Sequence, residues 1–506
     1  MTFKHNFEMF LFFTFVSFFL VSCSQISFLS MGIPDSPQNI PTGSVKVSPP
    51  ETLEWKLNNG LKVVYYQRAG IPITSSTLYI PKGSLSDDSG ITGLSSVMVQ
   101  QMREGGTRLM KPDVLDEFLD QKAASIEGSQ DAEVTTFSFT GLSEDFDDLL
   151  KVFSQVVLEP SFDSGRLSLW KRLSEEEIKR RKDNPDLIAS LAYQRLVYGE
   201  LSPYSRLLTP ESISQVTEKS LRAMHKRLIQ PSDAVLIIVT DINSDFVKLA
   251  VEERFNSWTQ FHIPGGGLDR FHGLDKGLLA PVPEAPGVYV VEANFEQASI
   301  ITGHLGPKLS EVELYQQSLF NRALGSSGFG SLLFREVRDR RGLAYSVYGG
   351  FSNSITDGSF RVIAGTKVDR ATAALTTIWE ILNGIKKEPL SDDLVEPARQ
   401  AISKSFVFKY EDPSYAAKRP TMLSIYGYPI DYDQVFVSKI EKVTTGDLQS
   451  FAKEHLIPDK LISVIVGQVR AEDVKNDLIN YKTSDNTPVR VCRVIFKDYP
   501  VLGDCL

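Results

Sequence analysis

Catalysis needs imidazoles, thiols, paired carboxylates or a nucleophile with a base, and candidates for those roles are sparse in this chain. The six histidines are His5, His225, His262, His272, His304 and His455, and no two stand at a spacing that suits shared metal ligation. Isolated histidines of this kind read as structural or surface residues. Cys492 and Cys505 lie near the C-terminal end without metal spacing. In an oxidising compartment they suit a local disulfide. Glu175-Glu176-Glu177 runs directly into Lys179-Arg180-Arg181-Lys182, which is the pattern of a solvated helix face with paired charges. What remains is Leu324–Ser331, LGSSGFGS, followed by Arg338 and Tyr345. Gly325, Gly328 and Gly330 suit a mobile flap or a plain flexible turn. They do not make a phosphate loop, because no Gly-Lys-Ser/Thr follows. A helix is expected over Leu332–Arg340, stopped by Gly342, with a strand over Leu343–Tyr348. Arg338 would then end the helix and Tyr345 start the strand, so that both tips converge across a tight turn. Each also has an ordinary reading, Arg338 as a cation at a helix C-terminus and Tyr345 as a half-buried strand aromatic.

The elements that position these residues recur. Asn184-Pro185 answers to Asp412-Pro413, Tyr198-Gly199 to Tyr426-Gly427, Gln230-Pro231 to Ile457-Pro458 and Glu159-Pro160 to Glu388-Pro389, all at offsets of 227 to 229 residues. The apolar run Ala234–Val239 answers to Leu461–Val466. Punctuation repeated at nearly one offset indicates a tandem duplication. In each copy strands and helices mix, which predicts two homologous α+β sandwich domains. The first is expected over 53–262 and the second over 287–470. A Gly- and Pro-rich linker over 263–286 joins them, and 471–506 is a C-terminal tail. The first copy opens with Leu53–Leu57, Asn58-Asn59-Gly60 and Leu61–Tyr66, a strand–turn–strand signature. A strand over Ser75–Ile80 follows, then Thr92–Thr107, TGLSSVMVQQMREGGT. There Leu94, Val97, Met98 and Met102 fall at helical spacing, and Gly105-Gly106 ends the helix.

That helix resembles the active-site helix of the M16 (pitrilysin/insulinase) metallopeptidases, whose zinc motif is an inverted His-x-x-Glu-His. At the motif positions this sequence has Ser96, Val99 and Gln100, so the frame is present without imidazoles or a base. Ser96 has no glycine elbow and no base to make it a nucleophile. The family's distant carboxylate ligand would fall in the helix holding Glu176. The resemblance extends from Leu53 to about Gln468 and implies the mitochondrial-processing-peptidase type of two-domain subunit, which works in pairs. It also implies that Arg338 and Tyr345 are the Arg and Tyr that reach to a partner's zinc helix, hydrogen-bonding the substrate carbonyl and the developing oxyanion. The glycine-rich Gly325, Gly328 and Gly330 would then contact extended peptide.

Net charge of −9 argues against nucleic acid as a partner. Met9–Val21 is an apolar run of signal length ending Leu20-Val21-Ser22-Cys23, which resembles a lipobox. Residues 1–22 are thus expected to be a lipoprotein signal, Cys23 the acylated residue and 23–52 a tether. The location implied is the bacterial cell envelope, on the periplasmic face of the outer membrane. The expectation is a non-catalytic subunit that carries no cofactor itself and forms a heterodimer with a zinc-bearing homologue to bind and orient peptides for proteolysis. The alternative is a peptide-binding or structural scaffold lipoprotein with no hydrolytic role.

Overall fold

The computed structural model describes residues 50–87, 90–260, 281–309, 313–326, 328–355, 357–483 and 486–506. The signal, Cys23 and most of the linker lie outside them. Thirteen strands form two sheets among these residues. In the first half β1 (Leu53–Lys56), β2 (Lys62–Gln67), β3 (Ile73–Ile80), β4 (Ser125–Gln130), β5 (Thr135–Leu142) and β6 (Val235–Thr240) lie in the order β1-β2-β6-β3-β5-β4. In the second, β7 (Gly287–Glu292), β8 (Gln297–Gly306), β9 (Ser346–Ser352), β10 (Gly358–Lys367), β11 (Ile462–Gly467), β12 (Val491–Phe496) and β13 (Pro500–Cys505) lie in the order β13-β12-β7-β11-β8-β10-β9. Removing β12 and β13 leaves a short sheet of the same mixed kind as the first. β2 runs parallel to β6 as β7 runs parallel to β11, and all other pairs within that set are antiparallel. The α+β duplication read from the repeat is therefore the architecture of the chain.

Local chemistry explains the first hairpin. Gly60 takes φ 98°, a left-handed value that other residues adopt at a cost, and Asn59 closes the turn by accepting from the Leu61 N–H at 3.1 Å. Trp55 then pairs with Val63. The central strands β6 and β11 are almost wholly buried, as expected for apolar runs with layers on both faces.

Those second layers are exchanged between the halves. Helix α1 (Leu94–Glu104) and the amphipathic helices around it cover one face of the first sheet. The helix α3 (Pro185–Tyr198), which follows α2 (Ser164–Arg180) in the first half, packs on the second sheet with Tyr289, Ile301, Val464 and Val466. Its buried Tyr193 hydroxyl donates to Phe360 O at 2.9 Å. The repeat counterpart of α3, α5 (Pro413–Tyr426), packs on the first sheet against Val64, Tyr79, Ile237 and Val239. Tyr426 donates to Asp131 at 2.9 Å. Each half thus lends one helix to the other, and the chain beyond α3 is held by Val282 N to Tyr198 O and Glu284 N to Leu196 O.

Three expectations change. Residues 471–506 are not merely a tail: a helix over Ala471–Asp477 and the pair β12–β13 extend the second sheet beyond β7. The strand expected to start at Leu343 starts at Ser346, because the Leu343 N–H is taken by Val337 O of the preceding segment and contact with β10 begins only at Tyr345 N to Gly365 O. The helix expected over Leu332–Arg340 is π-helical from Phe334 to Arg340. Cys492 and Cys505 face each other across β12 and β13 and are bonded, which ties the last strand to the sheet.

Candidate functional site

Helix α1 begins after Gly93 (φ 78°) and takes its cap from eight residues upstream, where Asp87 accepts from the Ser95 N–H at 3.0 Å. Asp87 is buried, and that burial pushes its carboxyl up to about 6 despite the hydrogen bonds from Ser95. Val97, Met98 and Met102 anchor the inner face in the core. At the far end Gly106 (φ 71°) is the left-handed residue, while Gly105 stays in the helical region.

The three motif positions are closed on themselves. Ser96 and Ser95 both donate to Gln130 Oε1 on β4, at 2.8 and 2.7 Å. Gln100 donates to Glu104 at 2.9 Å. Val99 is 2% exposed and packs where Gly128 lets β4 approach; a Cβ at Gly128 would stand 2.9 Å from Val99 Cγ1. Arg103 donates to Ile126 O at 3.0 Å and to Asp116 at 2.8 Å. On α2, Glu176 is exposed and paired with Lys179 at 2.7 Å, and the hydrogen bond from Lys179 holds its carboxyl below the usual range. Zinc takes imidazole, thiolate or carboxylate donors. A hydroxyl, a methyl-lined wall and an amide, the two polar ones already engaged, do not fit it.

The second element is built differently. Helix α4 (Leu314–Asn321) runs into a π-helical segment over Arg322–Ser326, a turn at Gly328–Gly330, and the second π-helical segment. Such segments are uncommon and recur at functional sites. Gly325 is not part of the turn. It is buried, and a Cβ there would meet Gly349 N and Leu333 Cδ1, each at 2.8 Å. Gly328 (φ 63°) and Gly330 (φ 88°) have open space around them and form the turn proper. Ser331 pins it by donating from Oγ to Gly328 O at 2.9 Å. Beside it, the Asn321 amide closes the outer edge of β9 by pairing with both the N–H and C=O of Phe351.

Four arginines follow, and three are paired: Arg335 with Asp393 at 2.7 Å, Arg340 with Glu336 at 3.3 Å and Arg341 with Glu380 at 3.7 Å. The Arg338 side chain has no ion pair or hydrogen bond among the described residues. Its guanidinium lies over Phe334 at 4.5 Å and Phe329 at 5.7 Å, a cation–π arrangement that orients it while leaving its N–H groups to donate. Tyr345 is 49% exposed, held through its backbone N–H to Gly365 O at 2.8 Å. Its hydroxyl has no partner among the described residues. Phe329, 81% exposed, packs on Phe334 at 4.7 Å, and Tyr348, 50% exposed, pairs with Ile363 on the sheet face opposite Val347. Sequence reasoning missed both; an aromatic between two turn glycines was the available signal. No hydrogen bond, ion pair or ring contact joins Arg338 or Tyr345 to α1 among the described residues. No helix among these residues is long and apolar enough to cross a membrane.

Comparison with known proteins gives one family. Residues 62–201 match the model described as insulinase (peptidase family M16), and residues 215–402 match the one described as peptidase M16 inactive domain. An uncharacterised zinc protease of Bacillus subtilis is 24% identical over 363 residues, which cover 71% of this chain and 85% of that protein. One of Mycobacterium tuberculosis is 22% identical over 418 residues, 81% of this chain and 92% of that protein. Among solved structures, a peptidase M16 inactive domain from Pseudomonas fluorescens superposes with a TM-score of 0.72 at 21% identity, covering 82% of this chain and 98% of its own. A protease from Helicobacter pylori gives 0.70 at 18% identity, covering 83% and 100%.

Proposed function

The chain belongs to the M16 (insulinase) peptidase family, and from that premise we propose that it is a non-catalytic subunit that binds and orients extended peptide for a zinc-bearing homologue. The observation that carries this is Arg338. Of four arginines in seven residues its side chain alone lacks an anionic partner among the described residues, and seven residues further on the exposed Tyr345 hydroxyl is without a partner among them too. A guanidinium held by two rings and a phenol at the mouth of an edge strand can both donate to a peptide carbonyl. Their hydrogen bonds strengthen as that oxygen gains negative charge. The exposed Phe329 beneath Arg338 offers apolar contact to a flanking side chain. Zinc and the base that activates water belong, in this reading, to the partner. The signal and Cys23 would tether the pair at the periplasmic face of the outer membrane.

The test is peptide cleavage by the co-purified pair. Arg338→Ala combined with Tyr345→Phe should reduce kcat by roughly 100- to 1000-fold, the usual loss when an oxyanion donor is removed, with assembly intact. Unchanged cleavage would remove the role assigned to the two residues.

A further inference from the structure

A second cluster of metal-ligating side chains lies away from every motif position, where α4 begins and where α7 (Thr445–His455) ends, the latter following α6 (Tyr432–Ile440). Glu313, immediately before α4, and Glu454 and His455, the last residues of α7, each place one ligand atom within 4.8 Å of the others. His455 Nε2 is 2.9 Å from Glu313 Oε2. The imidazole is fixed independently of that contact. Its side chain is 9% exposed and its ring packs 4.8 Å from Phe451 and 6.5 Å from Phe351.

Gln317 gives a second, separate indication. Glu313, Gln317 and Phe320 stand at i, i+4 and i+7 on one stripe of the helix. That stripe is the one facing α7, since Glu313 meets His455 and the Phe320 ring lies 5.3 Å from Phe451. Gln317 therefore sits in the seam between those two contacts. It is 6% exposed, and its Oε1 has no hydrogen-bond partner among the described residues. A buried acceptor left without a donor is costly. A cation in the seam, or a water bound to one, would satisfy it. A simple Glu–His ion pair accounts for neither Gln317 nor the convergence of Glu454.

We propose that Glu313, Glu454 and His455 form a binding site for a zinc-like divalent cation that pins the start of α4 to the end of α7. One imidazole with two carboxylates, water completing the shell, is a donor set that zinc accepts, while magnesium and calcium prefer oxygen alone. Since α4 runs directly into the π-helical segment and the glycine turn, the cation braces the element that leads to Arg338. Metal found in the purified chain would then report on this site and not on α1. The site stands or falls independently of the role given to Arg338.

The experiment is titration of the chelator-stripped full chain with Zn²⁺ by calorimetry and with Co²⁺ by visible absorption. One equivalent should bind, raise Tm through preferential binding to the folded state, and give ligand-field bands. Glu313→Gln, Glu454→Gln and His455→Gln should each weaken binding by about tenfold or more, whereas Ser96→Ala with Gln100→Ala should leave it unchanged. Glu454 is exposed, so its variant tests the idea even where loss of His455 disturbs folding. Absence of saturable binding, or wild-type affinity in the Glu313 and Glu454 variants, would overturn the proposal.

Discussion

Helix α1 lies between β3 and β4 as α4 and the two π-helical segments lie between β8 and β9, yet the two regions use their polar groups in opposite ways. In the first half every polar side chain at a motif position is consumed locally: Ser96 by Gln130, Gln100 by Glu104. In the second half the arginines around Arg338 are paired and, among the described residues, the Arg338 side chain is not. A site that has merely decayed would be expected to lose such distinctions on both sides. Here one copy has been closed into packing and capping, while the other keeps a cation and a phenol presented to solvent. The proposed division of labour with a partner rests on that difference.

The largest contrast should appear in the assembled pair. Ser96→Ala with Gln100→Ala, which removes hydrogen bonds made within the helix and to β4, should leave peptide cleavage within about twofold of wild type. The loss expected for Arg338→Ala alone is at least about tenfold in kcat. Equal losses from both sets would erase the comparison.

Next come the glycines, which separate packing from presentation within the second half. Gly325→Ala forces a Cβ against the backbone of Gly349 and should cost about 1–3 kcal/mol, read as a fall in Tm. Gly328→Ala meets nothing and should cost only the left-handed backbone penalty of about 1 kcal/mol. Its effect should fall on the apparent KM for peptide more than on stability. A neutral Gly325→Ala would show that the close approach to β9 is dispensable.

The two halves should also respond to pH with opposite sign. Asp87 is raised by burial from 3.8 to about 6, so the folded state holds its proton longer than the unfolded chain does. Its contribution is full at low pH and is lost as pH rises through about 6. His304 is lowered by burial from 6.5 to about 4 against the opposing hydrogen bond from Nδ1 to Leu305 O, and its Nε2 accepts from the Ile457 N–H, which only the neutral ring can do. Its contribution is full above 6.5 and is lost as pH falls through about 4. Urea unfolding from pH 4 to 7 should give a shallow net dependence in wild type. In Asp87→Asn, stability should instead rise more steeply with pH across that range. A slope unchanged by the substitution would contradict the assignment.

The smallest effect belongs to Glu176. Exposed and paired only with Lys179, it should tolerate Glu176→Gln without a change in Tm or metal content.

Much of this was legible beforehand because it is local. Turn chemistry marked the β1–β2 hairpin, repeated Pro and Gly offsets marked the duplication, and helical spacing marked α1. The exchange of α3 and α5 was not legible, since an apolar stripe shows that a helix is buried and not which sheet buries it. Nor was the extension of the second sheet by β12 and β13, whose six-residue strands carry little periodic signal. Asp87 capping Ser95 crosses a loop, and Glu313 meeting His455 joins residues 142 apart, so spacing along the chain could not find them. Arg338 was singled out in the sequence by the family resemblance and not by its surroundings. That its side chain lacks an anionic partner among the described residues emerged once Asp393, Glu336 and Glu380 were placed.

The most direct measurement is the rate of peptide cleavage by this chain alone, by a zinc-bearing homologue alone, and by the two together at equal concentration. The account predicts an inert chain, a weakly active or inactive homologue, and a mixture whose rate exceeds their sum and collapses with Arg338→Ala plus Tyr345→Phe. Cleavage by this chain alone, or a mixture no faster than the homologue by itself, would contradict it.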